Sequence, residues 1–239
     1  MSQPLLSRRL FLSHAALSSA AIVVPGASAL VLGCSSARGE VRVGDASAPS
    51  VGAASATARA RAPRCAPGVA TDANIEGPYY RPGAPFRADL VEPGMAGLPL
   101  LLSGAVMSLD CKTPLAGSVI DVWQADASGH YDNDGSMKLP EGALRLRGKV
   151  RSDASGAFAV RTLLPGRYLN GARYRPSHVH VKVSAPGHAP LTTQLYFPDD
   201  PYNDGDAFFL RSLILDMSRV RGDLAGRYDF VLRPLAAAR

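Results

Sequence analysis

Residues 174–183 read Tyr-Arg-Pro-Ser-His-Val-His-Val-Lys-Val, a run in which two kinds of side chain alternate. Valine occupies every second position from 179 onward, as expected for the buried face of a β-strand. His178 and His180 stand between the valines, so both imidazoles project together from the other face. Two neutral imidazoles that converge in this way form half of a metal site, since histidine is the commonest metal ligand. The alternative is a partly exposed strand whose two histidines face solvent.

Short apolar segments bounded by Gly, Pro, Asp and Ser fill the chain from about Cys65 onward, and such segments predict β-strands. The predicted strands are Leu98–Leu109, Gly117–Trp123, Arg145–Arg151, Ala157–Leu163, His178–Ala185, Leu191–Phe197 and Arg227–Leu232. Only Ala207–Met217 is predicted to be helical. This pattern predicts an all-β fold, an antiparallel β-sandwich of the immunoglobulin/prealbumin type with long loops and one short helix, and Trp123 in its core.

The net charge of +6 belongs to the beginning of the chain. Residues 1–64 hold seven Arg, no Lys and two acidic residues, whereas residues 65–239 hold 19 basic and 18 acidic residues. The nearly neutral globular part gives no support to nucleic-acid binding.

The N-terminus has the pattern of an export signal. Ser7-Arg8-Arg9-Leu10-Phe11-Leu12 is a twin-arginine motif, and a mostly apolar run from Ala15 to Leu32 follows it. The run is about long enough to span a bilayer, but its Ser, Pro and Gly residues and its basic flank favour a cleaved or anchored signal. Val31-Leu-Gly-Cys34-Ser resembles a lipoprotein lipobox, so a lipidated Cys34 would tether the protein to a membrane. The alternative is a cysteine that only happens to lie in the signal.

Residues 35–64 are mainly Ala, Ser, Gly and Arg without periodicity, and they predict a disordered tether. The predicted domains are therefore a signal over 1–34, this tether over 35–64 and a globular domain over 65–239. The expected location is periplasmic or at the cell surface. In such an oxidising compartment Cys65 and Cys111 are either a disulfide or two buried free thiols.

A metal site on the histidine strand needs further ligands. The strand offers no carboxylate, and His188 lies in a Pro-Gly-His-Ala-Pro turn. Tyrosines are available instead, with Tyr168 after a Pro-Gly turn and Tyr131 just beyond a predicted strand. A phenol with a pKa near 10 is a poor ligand for most ions, but phenolate oxygen suits iron(III), whose charge lowers the phenol pKa.

Several motifs then follow one another in order. They are Glu76-Gly-Pro-Tyr-Tyr80, Pro114-Leu-Ala-Gly-Ser-Val-Ile-Asp-Val-Trp-Gln-Ala-Asp126 with Gly129-His-Tyr131, Leu164-Pro-Gly-Arg-Tyr168, Tyr174-Arg-Pro-Ser-His-Val-His180 and Gln194-Leu-Tyr-Phe197. Together, over roughly Cys65 to Pro234, they resemble the intradiol ring-cleavage dioxygenases, that is, the catechol, hydroxyquinol and protocatechuate enzymes.

The resemblance implies a non-haem Fe(III) held by Tyr131, Tyr168, His178 and His180. It implies a small aromatic diol and O2 as substrates, cleaved without an external reductant to a cis,cis-muconate-type dicarboxylate. Tyr168 would also act as the base that takes one substrate proton.

The resemblance also implies roles for four neighbouring residues. Arg175 would stabilise the anionic substrate, and Gln194 would hydrogen-bond near the ring and the oxygen site. Pro78 and Tyr79 would close the substrate pocket. The alternatives are a strand-end Arg in a surface ion pair, a plain edge-strand Gln and an ordinary structural turn.

The chain departs from the catechol and hydroxyquinol branch at its N-terminus, where those enzymes carry a helical region used for dimerisation. A homo-oligomer therefore stays an open expectation. A competing function is a catalytically inactive β-sandwich module that binds aromatics or sugars at the cell surface. A zinc hydrolase would need a third neutral or carboxylate ligand in place of the two phenols.

Overall fold

A computed structural model of the chain describes residues 65–236. The predicted signal over 1–34 and the predicted tether over 35–64 lie outside these residues, as does Cys34. Within the described part of the chain, no helix is long and apolar enough to cross a membrane.

The described residues form eleven strands and two single turns of 3-10 helix. The strands are β1 (Pro99–Ser108), β2 (Val119–Gln124), β3 (Arg147–Arg151), β4 (Ala157–Leu163), β5 (Tyr168–Asn170), β6 (Arg173–Arg175), β7 (His178–Ser184), β8 (Leu191–Tyr196), β9 (Asp216–Val220), β10 (Asp223–Arg227) and β11 (Phe230–Leu232). The 3-10 turns are Asn203–Gly205 and Arg211–Leu213.

The strands make two main sheets and one small hairpin. In the first sheet β4 pairs with one edge of β1, while β11 and β10 pair with the other edge and β9 follows β10. The second sheet has the order β3-β2-β7-β8, and β5 pairs only with β6. The β-sandwich is therefore confirmed, with one correction, because β1 pairs in parallel with both β10 and β11.

Apolar side chains of both main sheets fill the space between them. The valines of β7 at 179, 181 and 183 are completely buried there, together with Leu102 of β1 and Phe230 of β11. Burying a side chain of this size contributes about 1.5–3 kcal/mol, so the alternation in β7 fixes which face meets the core. The histidines of β7 consequently point to the opposite face of the second sheet.

The helix predicted over Ala207–Met217 is wrong. The chain makes a short 3-10 turn at Arg211–Leu213 and enters β9 at Asp216. Leu213 and Leu215 are both buried, which is a spacing of two rather than of three or four residues. The backbone N–H of Leu215 donates to the carbonyl of Tyr196 at 2.8 Å, so this segment runs extended along the end of β8.

The strand predicted over Arg227–Leu232 contains all of β11 but only the last residue of β10. β10 and β11 pair with β1 in the same register, but the pairing is interrupted at Tyr228 and Asp229. A Cβ on Gly104 would lie 1.7 Å from the Tyr228 carbonyl oxygen, so only glycine permits this approach. The Asp229 carboxylate accepts the N–H of Ala105 at 2.9 Å and replaces the missing ladder bond. Strands β5, β6 and β9 and residues 223–226 of β10 were not predicted from the sequence.

Cys65 and Cys111 are joined in a disulfide, with their Cα atoms 5.9 Å apart. The bridge ties the first described residue to the turn that follows β1. Between the bridge and β1, the chain continues along the edge of β8, where the N–H of Asn74 donates to Thr192 at 2.8 Å. This path brings Pro78 and Tyr79 toward the histidine face of the second sheet.

Candidate metal centre

The two histidines of β7 lie in a buried aromatic environment. His178 is 2% exposed and His180 is 1% exposed, so the alternative of a solvent-facing pair is wrong. Across the sheet His180 pairs with Trp123 of β2 and with Gln194 of β8. The Trp123 indole stacks on the His180 imidazole with ring centroids 4.9 Å apart. Trp123 therefore lies in the wall of the site and not, as predicted, in the core between the sheets.

Two glycines bring the two tyrosines together. Gly129 precedes Tyr131 by two residues, and Gly166 precedes Tyr168 by two residues. A Cβ on Gly129 would lie 2.2 Å from the Arg167 carbonyl oxygen, and one on Gly166 would lie 2.4 Å from the Gly129 nitrogen. Because neither glycine carries a side chain, the two tyrosine-bearing segments can cross in contact.

The four predicted ligands form a closed set of facing rings. The ring centroids are 5.6 Å apart for Tyr131 and Tyr168, 5.6 Å for Tyr168 and His178, 4.9 Å for His178 and His180, and 6.2 Å for His180 and Tyr131. Tyr131 is 1% exposed, whereas Tyr168 is only partly buried. The structure thus brings together all four residues from three separate segments.

Three polar atoms of this set are buried without a hydrogen-bond partner within residues 65–236. They are the Tyr131 Oη, the His178 Nε2 and the His180 Nδ1. The His178 Nδ1 lies 2.7 Å from the Pro176 carbonyl oxygen, which can only accept, so this nitrogen carries the proton and Nε2 keeps its lone pair. Buried polar atoms are normally paired, so three orphaned atoms on facing rings fit a bound cation.

Burial also sets the charge state of the four rings. It lowers the pKa of His178 to about 3 and lowers the pKa of His180 well below its ordinary value, so both imidazoles are neutral at neutral pH. Burial raises the pKa of Tyr131 well above 10 and also raises the pKa of Tyr168. The phenols therefore ionise only if a cation offsets the burial. In the described part of the chain no three His, Cys, Asp or Glu side chains cluster for a metal, so a site here requires the phenols.

Comparison with known proteins agrees with this geometry. Residues 75–234 match the family described as Dioxygenase. The chain belongs to the intradiol dioxygenase family. It is 34% identical over 184 residues to a 6-chlorohydroxyquinol 1,2-dioxygenase of Cupriavidus pinatubonensis, a match that covers 69% of this chain and 65% of the relative. It is 37% identical over 148 residues to a chlorocatechol 1,2-dioxygenase of a Pseudomonas species, covering 55% of this chain and 57% of the relative. The chain thus spans less than two thirds of either curated relative.

A solved structure shows the same fold. The dioxygenase domain of a dioxygenase carbohydrate-binding protein fusion from Streptomyces sp. SirexAA-E superposes with a TM-score of 0.62 at 39% identity. The match covers 70% of this chain and 100% of that domain. The match therefore extends over the whole length of that solved domain.

Arg175 lies at the end of β6, directly opposite Tyr168 of β5. The residue is 5% exposed, and its guanidinium donates to Asp206 from Nε at 2.9 Å and from Nη2 at 2.8 Å. Its Nη1 lies 3.4 Å from the Tyr168 Oη. Burial opposes the positive charge, but Tyr168 and Asp206 outweigh burial and raise the pKa of Arg175. The ion pair is therefore buried beside a predicted ligand and is not a surface pair.

Gln194 is completely buried although β8 is the edge strand of its sheet. Its Oε1 accepts from the Arg175 Nη2 at 2.9 Å and from the Tyr196 hydroxyl at 3.0 Å. Its Nε2 donates to the Ile75 carbonyl at 3.0 Å. The side chain therefore holds Arg175 to the segment that passes over the site.

Tyr79 covers the tyrosine side of the site, while Pro78 lies exposed in the turn before it. The Tyr79 ring stacks on Tyr131 with centroids 4.3 Å apart and meets the edge of Tyr168 at 6.1 Å. These contacts place Tyr79 beside two of the predicted ligands, and the closing of the pocket by Pro78 and Tyr79 stays a prediction.

Sequence reasoning missed two carboxylates that organise the site. Asp206 holds Arg175, and Asp132 forms a buried ion pair with Arg147 immediately after Tyr131. The adjacency of Asp132 to a predicted ligand was a usable signal. Asp206 gave none, because it precedes the segment that was taken for a helix.

Proposed function

We propose that the protein cleaves a catechol-type aromatic with O2 between its two hydroxyl-bearing carbons and produces a cis,cis-muconate-type dicarboxylate. The observation that carries the proposal is the closed set of two phenols and two imidazoles with three orphaned buried polar atoms. The names of the relatives, which act on chlorinated hydroxyquinol and catechol, support an aromatic diol as the substrate.

Iron(III) is the cation that this donor set suits best, because phenolate oxygen is a hard ligand and imidazole also binds iron. Tyr131, Tyr168, His178 and His180 would hold it, and it would supply Lewis-acid activation of the bound diol. Residues of the chain itself can be assigned to the proton transfer, the stabilisation of the anionic substrate and the entry of the substrate.

Tyr168 is the proton acceptor in this proposal. It is the least buried of the four rings, and its oxygen lies 3.4 Å from the Arg175 Nη1, whereas the Tyr131 oxygen has no partner among the described residues. The Tyr168 Oη would therefore be the oxygen placed to take one substrate hydroxyl proton, and it would still accept a hydrogen bond from Arg175. The Arg175 charge at the same place stabilises the deprotonated diol.

A groove of about 390 Å³ next to Arg175 is the proposed entrance for the substrate. Ile75 lines one side of it, and Phe208 and Leu210 line the other. The Phe208 ring lies under the Arg175 guanidinium at 5.0 Å, and Gln194 is bonded to Ile75 at 3.0 Å. These two contacts place the groove beside Arg175 and Gln194, and its apolar walls suit an aromatic ring.

The test combines a visible absorption spectrum with metal analysis and oxygen uptake. We expect one iron per chain, a broad tyrosinate-to-iron charge-transfer band that shifts when catechol is added, and O2 consumption with catechol or hydroxyquinol. A protein that stays colourless after iron loading would sink the proposal. Bound iron without O2 consumption on any catechol would favour an inactive module that binds aromatics or sugars.

We also propose export by the twin-arginine route, with Cys34 acylated as a tether to the membrane. Only the N-terminal sequence pattern supports this proposal, because residues 1–64 lie outside the described part of the chain. Mass analysis of the mature N-terminus tests it. A start at any residue other than Cys34, without acyl mass, would overturn the anchor.

A further inference from the structure

Four side chains form a row across the second sheet, on the face that carries the histidines. Arg147 of β3 pairs with Trp123 of β2, Trp123 pairs with His180 of β7, and His180 pairs with Gln194 of β8. All four are at most 2% exposed. In this row Trp123 stands between Arg147 and His180, and its indole stacks on the His180 imidazole with ring planes only 12° apart.

The same arginine also holds the segment that carries the other buried ligand. Its Nε donates to both carboxylate oxygens of Asp132 at 2.9 and 2.8 Å, and its Nη2 donates to Asp132 and, at 2.9 Å, to Asn133. These two residues directly follow Tyr131. The Asp132 carboxylate accepts in addition from the Arg145 N–H at 3.1 Å. Arg147 thus holds the backbone in place directly after Tyr131, and this limits where the Tyr131 ring can lie.

The ion pair between Arg147 and Asp132 is buried, so it fixes geometry more than it adds stability. The Arg147 and Asp132 side chains are 2% and 0% exposed, and the Arg147 Nη1 has no hydrogen-bond partner among residues 65–236. A buried pair of this kind is often no more stabilising than an apolar pair of the same size, because both charges lose their hydration. Its planar, two-pronged hydrogen bonding nevertheless fixes geometry more tightly than an apolar contact does.

We propose that Arg147 is a positioning residue for the metal centre, which aligns Tyr131 through Asp132 and Asn133 and supports His180 through Trp123. The inference rests on the proposed function, since it assigns Arg147 to the iron site. Arg147 would touch neither iron nor substrate. It would determine how well two ligands from different segments meet the same ion.

The variants Arg147→Lys, Asn133→Ala and the double variant Arg147→Met with Asp132→Asn test the proposal. Lysine keeps the charge but loses the two-pronged bond, and the double variant removes both charges so that none is left buried and unpaired. The control is Arg161→Met, whose ion pair with Asp89 has side-chain exposures of 52% and 55%. Circular dichroism checks the fold of every variant.

The readouts are iron affinity and the energy of the charge-transfer band. Trp123 is the only tryptophan of the chain and stacks on His180, so quenching of its fluorescence by iron(III) reports binding without turnover. We expect Arg147→Lys and the double variant to lose about tenfold or more in iron affinity and to shift the band, as outer partners of metal ligands typically do. Asn133→Ala should show a smaller loss, and Arg161→Met none.

Wild-type affinity and an unshifted band in Arg147→Lys and in the folded double variant would overturn the inference. If neither of these folds, Asn133→Ala decides, because it removes a single bond to Arg147, and a wild-type spectrum there would overturn it as well. A wild-type protein without any iron band would instead refute the proposed function. The two failures are thus distinguishable.

Discussion

Asp206 is the residue that lets Arg175 remain charged inside the protein, and Asp206→Asn is the perturbation that tests this role. The substitution keeps the shape of the side chain and removes its charge. The carboxylate accepts two bonds from the guanidinium, at 2.9 and 2.8 Å, and the two side chains are 4% and 6% exposed. The variant therefore leaves a buried cation without its counter-ion.

The size of the effect follows from this burial. Removing one member of a buried ion pair costs about 3–5 kcal/mol. The Gln194 Oε1 remains 2.9 Å from the Arg175 Nη2, so we expect the lower end of that range, about 3 kcal/mol. Asp204→Asn is the matched control, because Asp204 pairs with Arg211 at the surface, with exposures of 82% and 79%. Its expected cost is below about 1 kcal/mol.

Urea unfolding of the two variants and the wild type, followed by circular dichroism, measures both costs. We also expect Asp206→Asn to lower kcat for oxygen uptake more than Asp204→Asn does, since Arg175 loses the partner that directs it toward Tyr168. If the free energy of unfolding of Asp206→Asn lies within about 0.5 kcal/mol of the wild-type value, the reasoning is refuted, because the buried charge of Arg175 would then not depend on Asp206.

Three further predictions concern the backbone, the acid response and the disulfide. Gly129→Ala places a Cβ 2.2 Å from a backbone carbonyl oxygen and should abolish iron binding, measured as iron per chain. Gly135→Ala, with a similar φ of +85° but no atom within 4 Å of the added Cβ, should retain iron. An equal loss of iron in both variants would mean that backbone strain, and not the close contact at Gly129, causes the loss. Because burial lowers the pKa of His178 to about 3 from 6.5, the unfolded chain binds its proton first as the pH falls. Metal-free protein should therefore lose stability from about pH 6.5 to pH 3, by up to about 1.4 kcal/mol per pH unit from this residue, and urea midpoints in His178→Gln should depend less on pH. Replacing Cys65 and Cys111 by serine opens a loop of 46 residues and should cost about 4 kcal/mol, and a melting temperature unaffected by reductant in the wild type would contradict this.

The sequence was informative where side chains alternate with a period of two. The valines of β7 predicted both the strand and the direction of its histidines, because burial on one face is a local pattern. The helix predicted over Ala207–Met217 was wrong because the structure of this segment does not follow from a local pattern. Its extended path comes from packing along the end of β8, a distant contact that local periodicity does not record.

The four predicted ligand residues could be named from sequence, but the groups that fix them in place could not. Tyr168 and Arg175 face each other because β5 and β6 form a separate hairpin of only three residues per strand, which is too short to show a pattern. Trp123 was assigned to the core because a lone tryptophan on an apolar strand usually packs there. Which face it occupies depends on its register against His180, and register is a property of the assembled sheet.

The charges of the proposed site explain why Arg175 and Asp206 occur as a pair. Two phenolates and two neutral imidazoles would supply two negative charges to a bound ion. A lone guanidinium beside Tyr168 would repel that ion, but the Asp206 carboxylate, 2.8 Å away, reduces this repulsion while Arg175 stays charged. A trivalent ion then keeps one uncompensated positive charge, which favours a deprotonated diol, whereas a divalent ion keeps none. Burial strengthens this preference, because it raises the pKa of Tyr131 and Tyr168 and makes their ionisation depend on a strongly charged cation. In the proposed site, the two phenols and their surroundings would thus favour a hard trivalent ion over the divalent metals that a pair of strand histidines would accept on its own.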